Sequence, residues 1–187
     1  MRRSTYHHGD LRAVILAEAA RMVAQRGADA ISLRELARSA GVSHAAPAHH
    51  FTDRRGVFTA LATDGFRLLA AALTDARPRF IDAALAYVRF ALEHPGHYAV
   101  MFDKSLLDDR DPDLQAAEAA AGAELSRGVS GLADPKARAD PGTARLAAWS
   151  LVHGFSTLWL NEALGSATAA RDPMEIVQRM GLMLFDG

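Results

Sequence analysis

A chain of 187 residues, half of them hydrophobic, has room for one ordinary domain or for a small head joined to a larger body. It contains no cysteine, which excludes disulfides and thiolate metal sites, and its net charge of −1 by itself points to no partner. Residues 1–60 are nevertheless basic, with nine Arg against five acids and five of the eight His, so the remainder carries a charge of −5. A basic head on an acidic body suits a phosphate-facing end. Ala, Leu, Arg and Met favour helix and no stretch alternates with period two, so an all-α protein of about nine helices is expected. No apolar run reaches the roughly 18 residues of a membrane span and the N-terminus does not read as a signal peptide. A cytoplasmic protein with no membrane partner is expected.

Met1 to Gly9 is a short polar lead carrying Arg2, Arg3, Tyr6, His7 and His8; basic arms of this kind can lie along phosphates or reach into a minor groove, although most such leads are merely disordered. The His pair has no acid or third His at ligand spacing, so no metal site is expected. Asp10 starts a helix that runs to about Arg26 and is stopped by Gly27, with Leu11, Val14, Ile15, Ala19, Met22 and Val23 as its apolar stripe. Ser32 and Glu35 have the spacing of a capping box and open a short helix. Gly41 ends that helix in the left-handed conformation, and Ser43 caps the next one. Helix, Gly-containing turn and capped helix form the helix-turn-helix layout, whose second helix enters the major groove of DNA. Thr52 or Asp53 then caps a long helix to about Ala76, with Arg54 and Arg55 at its start.

Beyond it, a helix is expected from Arg79 to Glu93 and, after the His94-Pro95-Gly96 break, a short one through Phe102. An acidic linker, Asp108 to Asp113, leads into an Ala-rich helix ending near Val129, and residues 131–142 have the composition of an exposed loop. Thr143 to Leu164 has only Arg145 and Glu162 as charges, and the last helix, capped by Asp172 with Pro173 at its first position, is also apolar. Two consecutive helices with excess apolar face predict an interface between identical chains. Its expected residues are Leu151, Phe155, Leu158, Trp159, Ile176, Met180 and Leu184. His153 is a lone titratable group on an apolar helix. It reads either as a neutral His hydrogen-bonded within the core or as a polar anchor for a ligand or a partner chain. No nucleophile lies beside a base and no His-Glu-x-x-His spacing occurs, so no catalytic residue and no cofactor are expected.

Five stretches carry a family resemblance: YHHGDLR at Tyr6–Arg12, SLRELARSAGVSHAAP at Ser32–Pro47, HFTDR at His50–Arg54, HPGHYAVMF at His94–Phe102 and WSLVHG at Trp149–Gly154. Together they resemble the TetR (tetracycline-repressor) family of bacterial transcriptional regulators, in a subgroup with a Trp-x-x-x-His-Gly C-terminal domain. The resemblance implies a three-helix DNA-binding head at residues 1–53 and a ligand-binding and dimerisation helical bundle at 54–187. It implies a homodimer that binds double-stranded operator DNA and is released by a small-molecule effector. DNA contacts are implied at Ser32, Arg34, Ser43, His44, Ala45, Ala46, His49, His50 and Arg54. Ligand contacts are expected among Phe66, Tyr98, Met101, Phe102, Trp149 and His153. One departure stands out: Ala48 occupies the position where the family has a Tyr that donates to phosphate. A TetR-like dimer with weakened or lost DNA binding, serving as a small-molecule or protein-binding module, is therefore the alternative reading.

Overall fold

The computed structural model describes the backbone of residues 8–76, 80–132, 134–165, 168 and 171–184, with side chains from residue 11 to 183 within those ranges. Ten α-helices and no strand occur among the described residues. They are α1 His8–Arg26, α2 Leu33–Ser39, α3 Ala46–Phe51, α4 Arg54–Asp75, α5 Phe80–Glu93, α6 Pro95–Met101, α7 Pro112–Ser130, α8 Pro135–Ala139, α9 Pro141–Leu160 and α10 Pro173–Leu184, with a 3-10 turn at Ala28–Ala30 between α1 and α2. The expected lead residues Arg2, Arg3, Tyr6 and His7 lie outside the described residues, and the first helix begins earlier than Asp10, at His8.

The helices form two compact units. The first comprises residues up to Gly65 together with His94–Ala116. Its core is Ile15, Ala19, Met22, Leu36, Ala37, Val57, Phe58 and Leu61, each no more than 2% exposed. α6 presses on α1 so closely that a Cβ on Gly96 would collide with the Ala20 carbonyl, and Gly65 leaves space for Met101 and His97. The segment after α6 is strapped to the start of α4. Arg55 Nε donates to the Leu107 carbonyl at 2.8 Å, and the Asp108 N–H donates to Thr59 Oγ1 at 2.9 Å.

The second unit comprises Phe66–Glu93 and the chain from Ala117 onward. α5 packs on both α9 and α10, and Gly181 makes way for Ile81. Residues 131–142 do not form the open loop expected of their composition. They contain α8, and Leu132 and Ala137 join Val129, Ala144 and Ala148 in a buried cluster against which the half-buried Phe80 packs. The cause is local: Asp134 Oδ1 accepts the Lys136 N–H at 2.7 Å and Pro135 takes the first helical position. α7, α9 and α10 start the same way. Asp111, Asp140 and Asp172 accept from Leu114, Thr143 and Met174 at 2.9, 3.0 and 2.9 Å, each just before a proline.

By length and composition alone α4 is long and apolar enough to cross a membrane, although it carries Arg54, Arg55, Asp64 and Arg67. Most of its large apolar side chains are buried in the two units, with Val57, Phe58 and Leu61 in the first and Phe66, Leu69 and Leu73 in the second, while Leu68 is exposed.

Candidate nucleic-acid interface

The capping box is present: the Glu35 N–H donates to Ser32 Oγ at 3.2 Å and the Ser32 N–H donates to Glu35 Oε2 at 3.3 Å. Hydrogen bonds from Ser32 hold the Glu35 carboxyl below the ordinary carboxylate range. α2 ends in a Schellman turn, with the Val42 N–H on the Ala37 carbonyl at 3.0 Å, the Gly41 N–H on the Arg38 carbonyl at 3.3 Å and Gly41 at φ 67. α1 is tied to α2 through Glu18, which accepts from Ser39 Oγ and from Arg21 Nη2. The Arg21 guanidinium holds the Glu18 carboxyl at about 2, helped by Ser39 and opposed by burial.

The second helix of the motif starts later than the sequence suggests. Ser43 makes no cap; its carbonyl accepts the Ala46 N–H at 3.0 Å in a turn, and α3 begins at Ala46 without a side-chain cap. Pro47 explains the shift. A helix capped at Ser43 would need the Pro47 N–H for its first backbone bond, and proline has none. Starting at Ala46 puts Pro47 within the first turn, where no donor is required.

The expected contact residues share this head but not one role. Ser32, Arg34, Ser43, His44, Ala45, Ala48 and His49 are exposed, Ala46 and His50 are half-buried, and Pro47 and Phe51 fasten α3 to the core. The rings of His49 and His50 meet edge-on, 5.5 Å apart. Arg54 is engaged inside the head: Nη2 donates to the Ala28 carbonyl at 2.8 Å and the guanidinium lies 4.8 Å over the Phe58 ring. Sequence reasoning passed over Arg12, whose guanidinium lies over Phe51 at 5.2 Å beside the end of α3. Its only signal was its place at the end of the YHHGDLR stretch.

The expected ligand residues divide between the units. Tyr98 and Phe102 pack edge-on at 5.6 Å and Met101 is fully buried in the first unit. Phe66, Trp149 and His153 belong to the second. There Tyr87 Oη and His153 Nδ1 are 3.0 Å apart, and Trp149 lies 5.9 Å from the His153 ring. Burial pushes His153 below the ordinary histidine range. Ser156, on the same helix, is fully buried and its Oγ has no hydrogen-bond partner.

Of six exposed large hydrophobic residues among the described residues, five lie on α9 and α10: Leu146, Trp149, Leu158, Leu182 and Met183. A Cβ on Gly154 would meet open space. Of the expected interface residues, Leu158 is exposed and Leu151, Trp159, Ile176 and Met180 are half-buried. Phe155 lies instead in the core of its own unit at 4% exposed, because the inner side of α9 buries it. The Leu184 side chain lies outside the described residues.

A helix-turn-helix head with a helical body defines the class, and the comparisons define the family. Residues 15–61 match the family described as bacterial regulatory proteins, tetR family, and residues 80–184 match the tetracyclin repressor-like C-terminal domain. The chain belongs to the TetR family of transcriptional regulators, whose members are non-enzymatic. Among solved structures it is similar to a protein of unknown function from Rhodococcus sp. RHA1, at 36% identity and TM-score 0.73, covering 97% of this chain and 96% of that one. A tetR-family regulatory protein from Rhodococcus RHA1 shares the fold at 19% identity and TM-score 0.72, with 92% and 94% covered. So does the regulator PfmR from Thermus thermophilus, at 17% identity and TM-score 0.69, with 92% and 97% covered. No curated protein matches the chain.

Proposed function

We propose that the chain is a homodimeric repressor that binds operator DNA and leaves it when a small molecule enters the body. The observation that carries this reading is the exposed set on an intact helix-turn-helix. Ser32 and Arg34 stand at the start of α2, and Ser43, His44 and Ala45 project from the turn that leads into α3. Arg34 and Ser32 serve the phosphate backbone, His44 donates to a base edge, and the Ala45 and Ala46 methyls pack on thymine methyl groups. His49 and His50 flank the backbone side. Residues 1–53 read DNA; residues 54–187 bind the ligand and the partner chain, and the protein works in the cytoplasm.

The second copy covers α9 and α10, whose exposed Leu146, Leu158, Leu182 and Met183 support the reading. The Trp149-x-x-x-His153-Gly154 stretch supports the narrower subgroup. In the second unit, the Tyr87–His153 pair and the unpartnered Ser156 hydroxyl favour an effector with a hydrogen-bonding group. Phe66 and Trp149 would supply apolar contact.

Titration onto DNA from the protein's own promoter region tests the core of this reading. Binding at low salt is expected, with Arg34→Ala weakening it on every sequence and reducing the salt slope by about one per head. Absence of binding even at low salt would overturn it in favour of a TetR-like module without DNA binding. Mass spectrometry of the purified protein tests the effector arm by identifying a retained small molecule.

A further inference from the structure

The helix-turn-helix runs from the Ser32 cap to Phe51. The chain reaches it through the turn at Ala28–Ala30 and leaves it into α4. The exit is a tight corner. Thr52 has φ 67, a conformation that β-branched residues rarely adopt. The Asp53 N–H donates to the Phe51 carbonyl at 2.7 Å, and a Cβ on Gly56 would collide with that same carbonyl. This corner fixes α3 against α4, but it does not tie α4 to the start of α2.

Arg54 ties α4 to the Ala28–Ala30 turn that leads into α2. Its Nη2 donates to the Ala28 carbonyl at 2.8 Å and stands 3.5 Å from Asp29 Oδ1, and its guanidinium lies 4.8 Å over Phe58. The Asp29 side chain is fully exposed, so the ion pair adds little. The carbonyl bond and the stacking carry the contact. The bond joins residues 26 apart in the chain, one just before the motif and one just after it.

We propose that Arg54 is the clasp of the helix-turn-helix: a positioning residue that holds α2 and α3 at the separation DNA requires, not a phosphate ligand. The inference rests on the DNA-binding reading above. Arg55 offers an internal contrast, because its bond to the Leu107 carbonyl ties α4 to the segment after α6 and not to the motif.

The test compares parent, Arg54→Gln and Arg54→Lys for affinity to the operator and to random-sequence duplex across a salt series. With a clasp, both variants lose about tenfold in operator affinity. Random-sequence affinity holds within about twofold and the salt slope is unchanged. Lys does not rescue, since it keeps the charge but cannot stack a planar fork on Phe58 while bonding Ala28.

Three results overturn the proposal. Arg54→Lys binds like the parent; or Arg54→Gln loses both affinities in parallel, with a slope smaller by about one per head; or the variants melt earlier yet bind operator, per folded molecule, as the parent does. If Arg54→Gln does not fold, Arg54→Lys decides. If the parent binds no DNA, the repressor reading fails by itself, and amide exchange judges the clasp. The Ile31 N–H shares the Ala28 carbonyl at 3.1 Å. Its exchange should rise about tenfold in Arg54→Lys relative to the amides of α1, and an unchanged rate overturns the clasp.

Discussion

Gly96 sits where α6 meets α1, and the consequence of adding one methyl there follows from the geometry. A Cβ would fall 2.7 Å from the Ala20 carbonyl carbon and closer still to its oxygen. Ordinary carbon contacts are about 3.5–4.0 Å, so α6 would have to retreat by roughly 1 Å. The obstacle is helix backbone, which cannot rotate aside as a side chain does. Overpacking of this kind costs about 3 kcal/mol at the upper end of its usual range. Replacing glycine within a helix returns about 1 kcal/mol. Gly96→Ala should therefore lose about 2 kcal/mol net, or roughly 4–8 °C in Tm for a chain of this size. Gly122→Ala is the control, since its Cβ meets nothing within 4 Å in the middle of α7; it should gain up to about 1 kcal/mol. Urea and thermal unfolding of both variants check the pair. A loss below about 0.5 kcal/mol at Gly96, or a similar loss at Gly122, would refute the argument that the α1–α6 approach is limiting.

Ala48 is exposed on α3, so Ala48→Tyr is accommodated and should restore a phosphate hydrogen bond. That is about 1 kcal/mol per head, or roughly tenfold or more for a dimer, by fluorescence anisotropy on the operator; unchanged affinity would dismiss this account of the position. Leu158→Asp places a charge on an exposed part of α9. It should leave the monomer folded while light scattering reports half the parent's mass, and a persistent dimer would remove α9 from the interface. His153 is pushed below the ordinary histidine value of 6.5 by burial, so the unfolded chain binds its proton first. Stability from this site is present above about 6.5 and is lost as pH falls through that value. The parent's Tm advantage over His153→Phe should shrink from pH 8 to pH 5, and a constant difference would show that the site does not titrate on folding.

Much of the head is local and therefore legible along the chain. Ser32 and Glu35 are three residues apart because one helical turn separates a cap from the N–H it receives, and Gly41 ends α2 because the left-handed conformation admits glycine most easily. The same local physics governs Asp134-Pro135 and Asp140-Pro141, whose turn-like composition concealed two more helix starts beside Asp172-Pro173. The late start of α3 was also written in the chain, in the missing N–H of Pro47. The nearly uncharged Thr143–Leu164 and the apolar last helix likewise marked their excess apolar face in the residues themselves.

Tertiary structure decided what depends on contacts between distant residues. That Arg54 reaches Ala28 and Phe58, that Arg55 reaches Leu107, and that Tyr87 meets His153 has no signature in spacing. A long side chain reads the same whether solvent or a carbonyl receives it. Phe155 shows the same limit, since one apolar helix has an inner and an outer side and only packing assigns them. Hydrogen bonds within a turn are dictated by neighbours in sequence, whereas the partner of a guanidinium or an aromatic ring is chosen by how the helices come together.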